Sequence, residues 1–290
     1  MTCWLVEPRD PLIARDGRPA NNLRFTTTRF PFPSLLAGAA RTRMGSENGA
    51  FSVPHGKLDD LKRVSVHGPI LAELEPGSGA VLGWFAPAPR DAVLAREEDG
   101  EKRILRRRLR PRKLAPGERL DSLKEMELLP VDAPGLGSDK PLSEAPAFWT
   151  WEEFRKWLVE PQEQEGVIVP AALGVPDLLR EERSHLALQP GERVGMDGMI
   201  FSTSGLRFLH ARKKADEPTD KDKGKAEENT LDPRRFALSL RSPGGTVDGR
   251  PLALREETAP LGGERRLARW SPASQGWPEL PPEVLEKVVK

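Results

Sequence analysis

The chain has no tyrosine and only one cysteine, Cys3, in 290 residues. A lone thiol closes no intrachain disulfide and removes every cysteine-based zinc or iron–sulfur scheme, which fits a reducing cytoplasm. Histidine is scarce: His55, His67, His185 and His210 are the full set, and no two stand at the close helical spacing of a metal pair. No net charge of one sign exists either, since 45 Lys+Arg against 44 Asp+Glu leave +1, so no global field steers the molecule toward a polyanion or a membrane. No apolar run approaches the roughly 20 residues of a membrane span, and the start, Met1 to Asp10, has neither a basic n-region nor a long apolar core, so a non-exported, non-membrane protein is expected. A phosphate-binding loop ending in Lys-Ser or Lys-Thr is missing, as is a G-x-S-x-G elbow. The acidic pairs Glu152-Glu153, Glu181-Glu182 and Glu256-Glu257 are adjacent in sequence and point apart on a helix or a strand. No catalytic residue, metal or cofactor is therefore expected.

Glycine and proline are plentiful, 26 and 29, about a fifth of the chain, which is high for a globular protein but short of a disordered one. A loop-rich folded protein follows. The apolar run Cys3 to Val6, closed by Pro8, predicts a first strand. Arg9 to Phe32 has no period and predicts a long irregular connection. Pro33 and Ser34 open a small-residue helix that carries Arg41 and Arg43 in its last turn and stops at Gly45. Val64 to Val66, Pro69 to Leu74 and Val81 to Ala86 read as strands, and Ala92 to Ala95 with Arg103 to Leu109 as a hairpin. Leu114 to Pro146 has the composition of a linker or an insertion. Thr150 and Glu153 form a capping box before Trp151, Phe154, Trp157 and Leu158 at helical spacing. Strand-like runs follow at Ser184 to Leu188, Met199 to Phe201, Leu206 to Leu209 and Phe236 to Leu240, with the charged stretch 211–235 expected as a mobile hairpin tip. Val284, Leu285, Val288 and Val289 suggest an amphipathic turn in the tail.

The arginines are grouped. Arg103, Arg106, Arg107, Arg108, Arg110, Arg112 and Lys113 crowd one stretch, and strand alternation puts arginine on both faces, so the hairpin either projects into water or rests on a polyanion. Arg15, Arg18, Arg24 and Arg29 are interleaved with Asn21, Asn22 and Thr26 to Thr28, with Arg41 and Arg43 close behind. Arginine grips phosphate while Asn and Thr bond base edges, the combination that single-stranded RNA recognition uses; an ordinary polar loop is the plain alternative. Gly262-Gly263 with Arg265, Arg266 and Arg269 has the same character, because glycine lets a nucleic-acid backbone approach main-chain N–H groups. Arg183 precedes His185, a histidine that could serve as acid or base in a metal-independent ribonuclease, although no second acid stands beside it in sequence.

The order of these pieces resembles one family. Asp10 to Pro19, Phe30 to Ser34 with Gly38 to Thr42, Gly68-Pro69, Phe85 to Asp91, Trp151 to Leu158, Arg183 to His185 running on to Asp197 through Phe201, and Leu261 to Arg265 are similar to the RAMP proteins of CRISPR systems. Within them the resemblance is to the crRNA 5′-handle-binding subunit of the type III-B (Cmr) effector complex. It implies an α+β fold of two ferredoxin-like, RRM-related modules with long insertions. These are expected at 1–146, carrying the basic hairpin, and 147–290, carrying the capping helix, the mobile loop and the glycine loop. The chain ends soon after the glycine loop, so the second module is expected to be incomplete or completed by a neighbour. The resemblance further implies a non-catalytic role: holding crRNA, contacting the large polymerase/cyclase-like subunit and the backbone RAMP subunit, and meeting target RNA only indirectly. Base stacking would fall to Phe and Trp. The rivals are a CRISPR RNA-processing endoribonuclease using His185 or His67, and a protein-only assembly module.

Overall fold

The computed structural model describes residues 1–15, 24–25, 27–96, 104–118, 129–137, 139–159, 168–188, 191, 195–213, 231–280 and 282–288; for 24–25, 195–199, 210–213, 231–233 and 287–288 it describes the backbone only. In chain order the strands and helices are β1 (Thr2–Pro8), β2 (Arg24–Phe25), α1 (Pro33–Met44), β3 (Ser46–Glu47), β4 (Ala50–Phe51), α2 (Leu58–Arg63), β5 (His67–Leu74), β6 (Val81–Pro87), β7 (Ala92–Arg96) and β8 (Ile104–Arg108). Then come β9 (Arg110–Pro111), β10 (Val131–Asp132), β11 (Lys140–Pro141), β12 (Phe148–Thr150), α3 (Trp151–Val159), α4 (Pro170–Leu173) and β13 (Gly174–Val175). The remainder is β14 (Leu179–Leu188), β15 (Gly195–Arg207), β16 (Leu209–Lys213), β17 (Leu231–Ser242), β18 (Gly245–Val247), β19 (Arg250–Leu252), β20 (Glu257–Pro260), β21 (Leu267–Pro272) and α5 (Pro282–Val288). The molecule is a mixed α/β protein with a large antiparallel sheet.

Two compact units interleave in sequence, Met1–Trp84 with Leu178–Pro278, and Phe85–Asp177 with Glu279–Lys290; the expected division at 146/147 falls inside the second. The first unit is built on the antiparallel order β5–β17–β1–β21–β20, with β16 also on β17. Its central strands are apolar almost throughout, as strands covered on both faces must be: Cys3 to Val6 on β1 and Phe236 to Leu240 on β17 are all buried. The one hydroxyl in that run, Ser239, is satisfied by donating to the Trp4 carbonyl at 3.0 Å and meeting the Cys3 thiol at 3.3 Å. Helix α1 forms as expected, with Pro33 in its first turn, Arg41 and Arg43 in its last, and Leu36, Ala40 and Met44 buried at four-residue spacing.

Two expectations are corrected here. Val64 to Val66 is not a strand: Leu58–Arg63 forms α2 instead, and Val64 caps it, with its carbonyl accepting from Arg41 Nε and Nη2 at 3.1 and 3.0 Å. Met199 to Phe201 and Leu206 belong to one continuous strand, β15, because Gly205 opens no turn; a Cβ there would lie 2.6 Å from Pro11 Cβ, so the glycine serves a close approach. The strands β16 and β17 do pair as a hairpin, from Leu209↔Arg235 to Lys213↔Leu231, so both ends of the mobile tip expected at 211–235 are strand instead, and its remainder, 214–230, lies outside the described residues.

In the second unit, β12 pairs with β13 and with Phe85 to Pro87 of β6, and β7 pairs with β8 and β11. Its core gathers Leu94, Trp149, Trp157 and Leu173, the two indoles meeting edge to face at 5.6 Å. Helix α3 starts as its capping box predicts, with the Glu153 N–H donating to Thr150 Oγ1 at 3.3 Å.

Candidate nucleic-acid interface

Leaving β1, the chain makes a short extended stretch, Leu12 to Ala14, that is almost fully buried. Leu12 exchanges backbone hydrogen bonds with Leu206 at 2.9 Å in both directions. Ala14 is held from the other side: its N–H donates to Thr27 Oγ1 at 2.9 Å, and its carbonyl accepts from the Thr28 N–H at 2.8 Å. The glycine loop closes on the residue between, where the Gly263 N–H donates to the Ile13 carbonyl at 2.8 Å. Gly262 has φ +73°, and a Cβ would stand 2.6 Å from that same carbonyl oxygen. Only glycine fits there. The glycine pair thus serves contact with this chain's own backbone, and the Gly263 N–H is not directed at a ligand, contrary to its expected use.

This anchoring places three expected arginines together at the surface of the first unit. Arg15 and Arg29 flank the Ala14–Thr28 bonds, Arg265 follows the glycines, and all three are exposed. Glu264 and Arg265 both sit in the left-handed region, at φ 58° and 51°, which turns the loop sharply enough to present Arg265 outward. Arg266 is half-buried and donates to Glu264 Oε2 at 3.1 Å.

Other expected contacts are engaged elsewhere. Arg41 braces the end of α2, and Arg43 forms an ion pair with Glu257, its Nε donating at 2.8 Å. Arg183 Nε donates to Glu181 Oε1 at 2.5 Å. In the second unit the basic hairpin follows neither of its two expected courses, because Arg106 and Arg107 are buried, at 4% and 7% exposure. Arg106 lies over the rings of Trp149 and Trp157 at 5.6 and 5.5 Å and donates to Glu153 Oε2 at 3.2 Å, so it is part of the core rather than a surface grip. Arg108 donates to Asp91 Oδ2 at 2.8 Å. Arg18, Asn21 and Asn22 lie outside the described residues, and of Arg24 only the backbone is described.

His185 meets the Thr203 hydroxyl at 2.9 Å and stacks on Phe201 at 4.8 Å. Among the described residues no group of three His, Cys, Asp or Glu side chains is arranged to hold a metal, and no helix is long and apolar enough to cross a membrane. Arg9 and Arg235 were missed as candidates. With Arg269 they converge on one cavity beside Glu7, although Arg235 and Arg269 come from β17 and β21 and Arg9 from the start of the long connection. Strand pairing is what brings them together.

These features define a class, an α/β protein on a large antiparallel sheet with exposed arginines carried on a glycine-anchored loop surface. Residues 4–290 match the family model described as CRISPR-associated protein (Cas_Cmr3), and the chain belongs to that family. Two solved structures are similar to it: "Cryo-EM structure of the Type III-B Cmr-beta bound to cognate target RNA and AMPPnP, state 1" and "Cryo-EM structure of the Type III-B Cmr-beta bound to cognate target RNA". Each match has 10% sequence identity and a TM-score of 0.43, and covers 95% of this chain and 64% of the other, so this chain spans less than two thirds of their length. No curated protein matches.

Proposed function

We propose that this chain is a non-catalytic RNA-binding subunit of a cytoplasmic type III-B Cmr complex. It holds the 5′ handle of the crRNA and bridges the large subunit to the backbone RAMP subunit. The observation that carries this reading is the exposure of Arg15, Arg29 and Arg265 around a stretch whose backbone is fixed on both sides, by Thr27 and Thr28 and by Gly263. Guanidiniums on a rigid support contact phosphates without a large ordering cost, and they favour RNA without reading its sequence. The order β5–β17–β1–β21, with α1 between β1 and β5, supports a ferredoxin-like module into which residues 85–177 are inserted.

The test is the salt dependence of binding to single-stranded handle RNA. Changing Arg15, Arg29 and Arg265 to Ala should flatten the log–log slope by roughly 0.7 for each phosphate that is no longer neutralised. An unchanged slope removes this surface from the interface. Binding by the wild-type chain that is absent even at low salt leaves a protein-only assembly role in its place.

A further inference from the structure

At one end of the main sheet, where β1, β16, β17 and β21 meet, a cavity of about 260 Å³ is lined by Glu7, Arg9, Phe208, Leu209, Arg235 and Arg269 among others. It is smaller than the ~300–1,000 Å³ of sites for drug-sized ligands, so it takes a group the size of one nucleotide and no extended molecule. Its walls differ in kind. Phe208 is buried beneath it, at 6% exposure, whereas Leu209 is 50% exposed, an apolar face open to water. Around this stand three guanidiniums. Arg235 is paired with Glu7 and Arg269 with Glu256, while Arg9 is exposed and its side chain has no partner among the described residues. An apolar slot with a cationic rim suits a flat ring that carries a phosphate.

Glu7 refines the choice of ring. Its side chain is 12% exposed and accepts from Arg235, and a carboxylate has about four lone-pair positions, so acceptor capacity remains. Acceptor and donor therefore stand side by side in the cavity. Guanine alone among the RNA bases offers two adjacent N–H groups next to a carbonyl oxygen, the complement of a carboxylate beside a guanidinium. The uracil edge would bring carbonyl oxygens against the carboxylate. The cavity also continues the interface above, because the Arg9 N–H donates to the Leu267 carbonyl at 2.9 Å, one residue beyond Arg266 of the glycine loop.

We propose that this cavity seats one unstacked guanine nucleotide of the bound RNA, with the face of the base resting on Leu209, its edge on the Glu7–Arg235 pair and the phosphate on Arg9 and Arg269. The inference rests on the RNA-binding reading. It is tested with the full-length chain and end-labelled uridine decamers that carry one central guanine, adenine, cytosine or no substitution, followed by fluorescence anisotropy. The guanine decamer should bind about tenfold tighter than the all-uridine one, the discrimination of one good bidentate contact. Leu209→Trp, which fills the slot, and Glu7→Gln, which removes the anionic acceptor, should each abolish that preference. Leu209→Trp keeps the ion pair, so it separates the slot from any loss of folding, and its affinity for the all-uridine decamer should stay within twofold of wild type. Equal binding of all four decamers, preference for another base, or a guanine preference that survives Leu209→Trp overturns the cavity assignment and leaves the interface reading intact. Failure of the wild-type chain to bind any decamer overturns both.

Discussion

The Arg106 guanidinium is held against the indoles of Trp149 and Trp157, which meet each other edge to face, and against the Glu153 carboxylate, with only 4% of the residue exposed. Removing one partner of a buried pair costs about 3–5 kcal/mol, chiefly by stranding the other charge. Glu153 is 25% exposed and also receives Lys156, so Arg106→Ala should fall at the low end, near 3 kcal/mol, in urea unfolding. Arg106→Lys should recover little, because an ammonium has no planar face to lay against an indole and is more strongly hydrated than a guanidinium. Gly262 gives a second prediction at this scale. Gly262 and Gly249 both have positive φ, +73° and +74°, but a Cβ at 262 meets the Ile13 oxygen at 2.6 Å whereas one at 249 meets nothing within 4 Å. Gly249→Ala should therefore cost about 1 kcal/mol of backbone strain. Gly262→Ala should cost clearly more and also weaken RNA binding by shifting Arg265; equal costs for the two would show that Ile13 can move aside.

At the scale of elements, what holds a short segment together decides how it responds to pH. Between β9 and β10, Arg112 donates to both oxygens of Glu118, at 2.6 and 2.5 Å, and Glu118 also accepts the Ala115 N–H at 2.9 Å. The guanidinium, then the backbone bond, hold the Glu118 carboxyl down at about 2. A depressed folded-state pKa contributes stability above the ordinary carboxylate value of 4.5, and that contribution is lost as pH falls from there through about 2. An NMR titration should find Glu118 ionised at pH 3, and Arg112→Ala should return it close to its ordinary value; a normal midpoint in the wild type would mean the pair is open in solution. Elements with local signals were legible in sequence. Helix α3 announces itself through Thr150, Glu153 and the spacing of its aromatics, and α1 through Pro33, its last-turn arginines and Gly45. Helix α2 was not legible, since six residues with only Leu58 and Leu61 on the apolar side make no period. Nor was the burial of Arg106 and Arg107, because alternation along β8 says which residues share a face but not that Trp149 and Trp157 will cover one of them.

At the scale of the whole chain, the sheet joins strands that sequence cannot pair: β5 meets β17 across more than 150 residues, with Leu71 opposite Leu238, and β1 meets both β17 and β21. Loop closure over such distances costs little extra per added residue, so a segment as long as 85–177 can be carried between β5 and β17 without unmaking the sheet. The same long-range pairing assembles the candidate interface, which explains why Arg15 and the glycine loop were each visible as motifs but not as neighbours. It also decides the setting of His185. Strand β15 places Phe201 and Thr203 against it, a ring stacked at 4.8 Å and a hydroxyl at 2.9 Å. A histidine so occupied anchors the β14–β15 pair, and on the proposed reading it carries no proton in a cleavage step. A working general acid or base contributes ~10²–10⁴-fold in rate, far beyond assay error. His185→Ala should therefore lower the melting temperature while leaving RNA-guided target cleavage by an assembled Cmr complex within a few-fold of wild type. The purified chain should leave repeat RNA uncut in EDTA. If His185→Ala folds and assembles with crRNA yet loses cleavage by a hundredfold or more, or if the wild-type chain cuts repeat RNA without metal and the variant does not, the subunit is a nuclease and the non-catalytic reading fails.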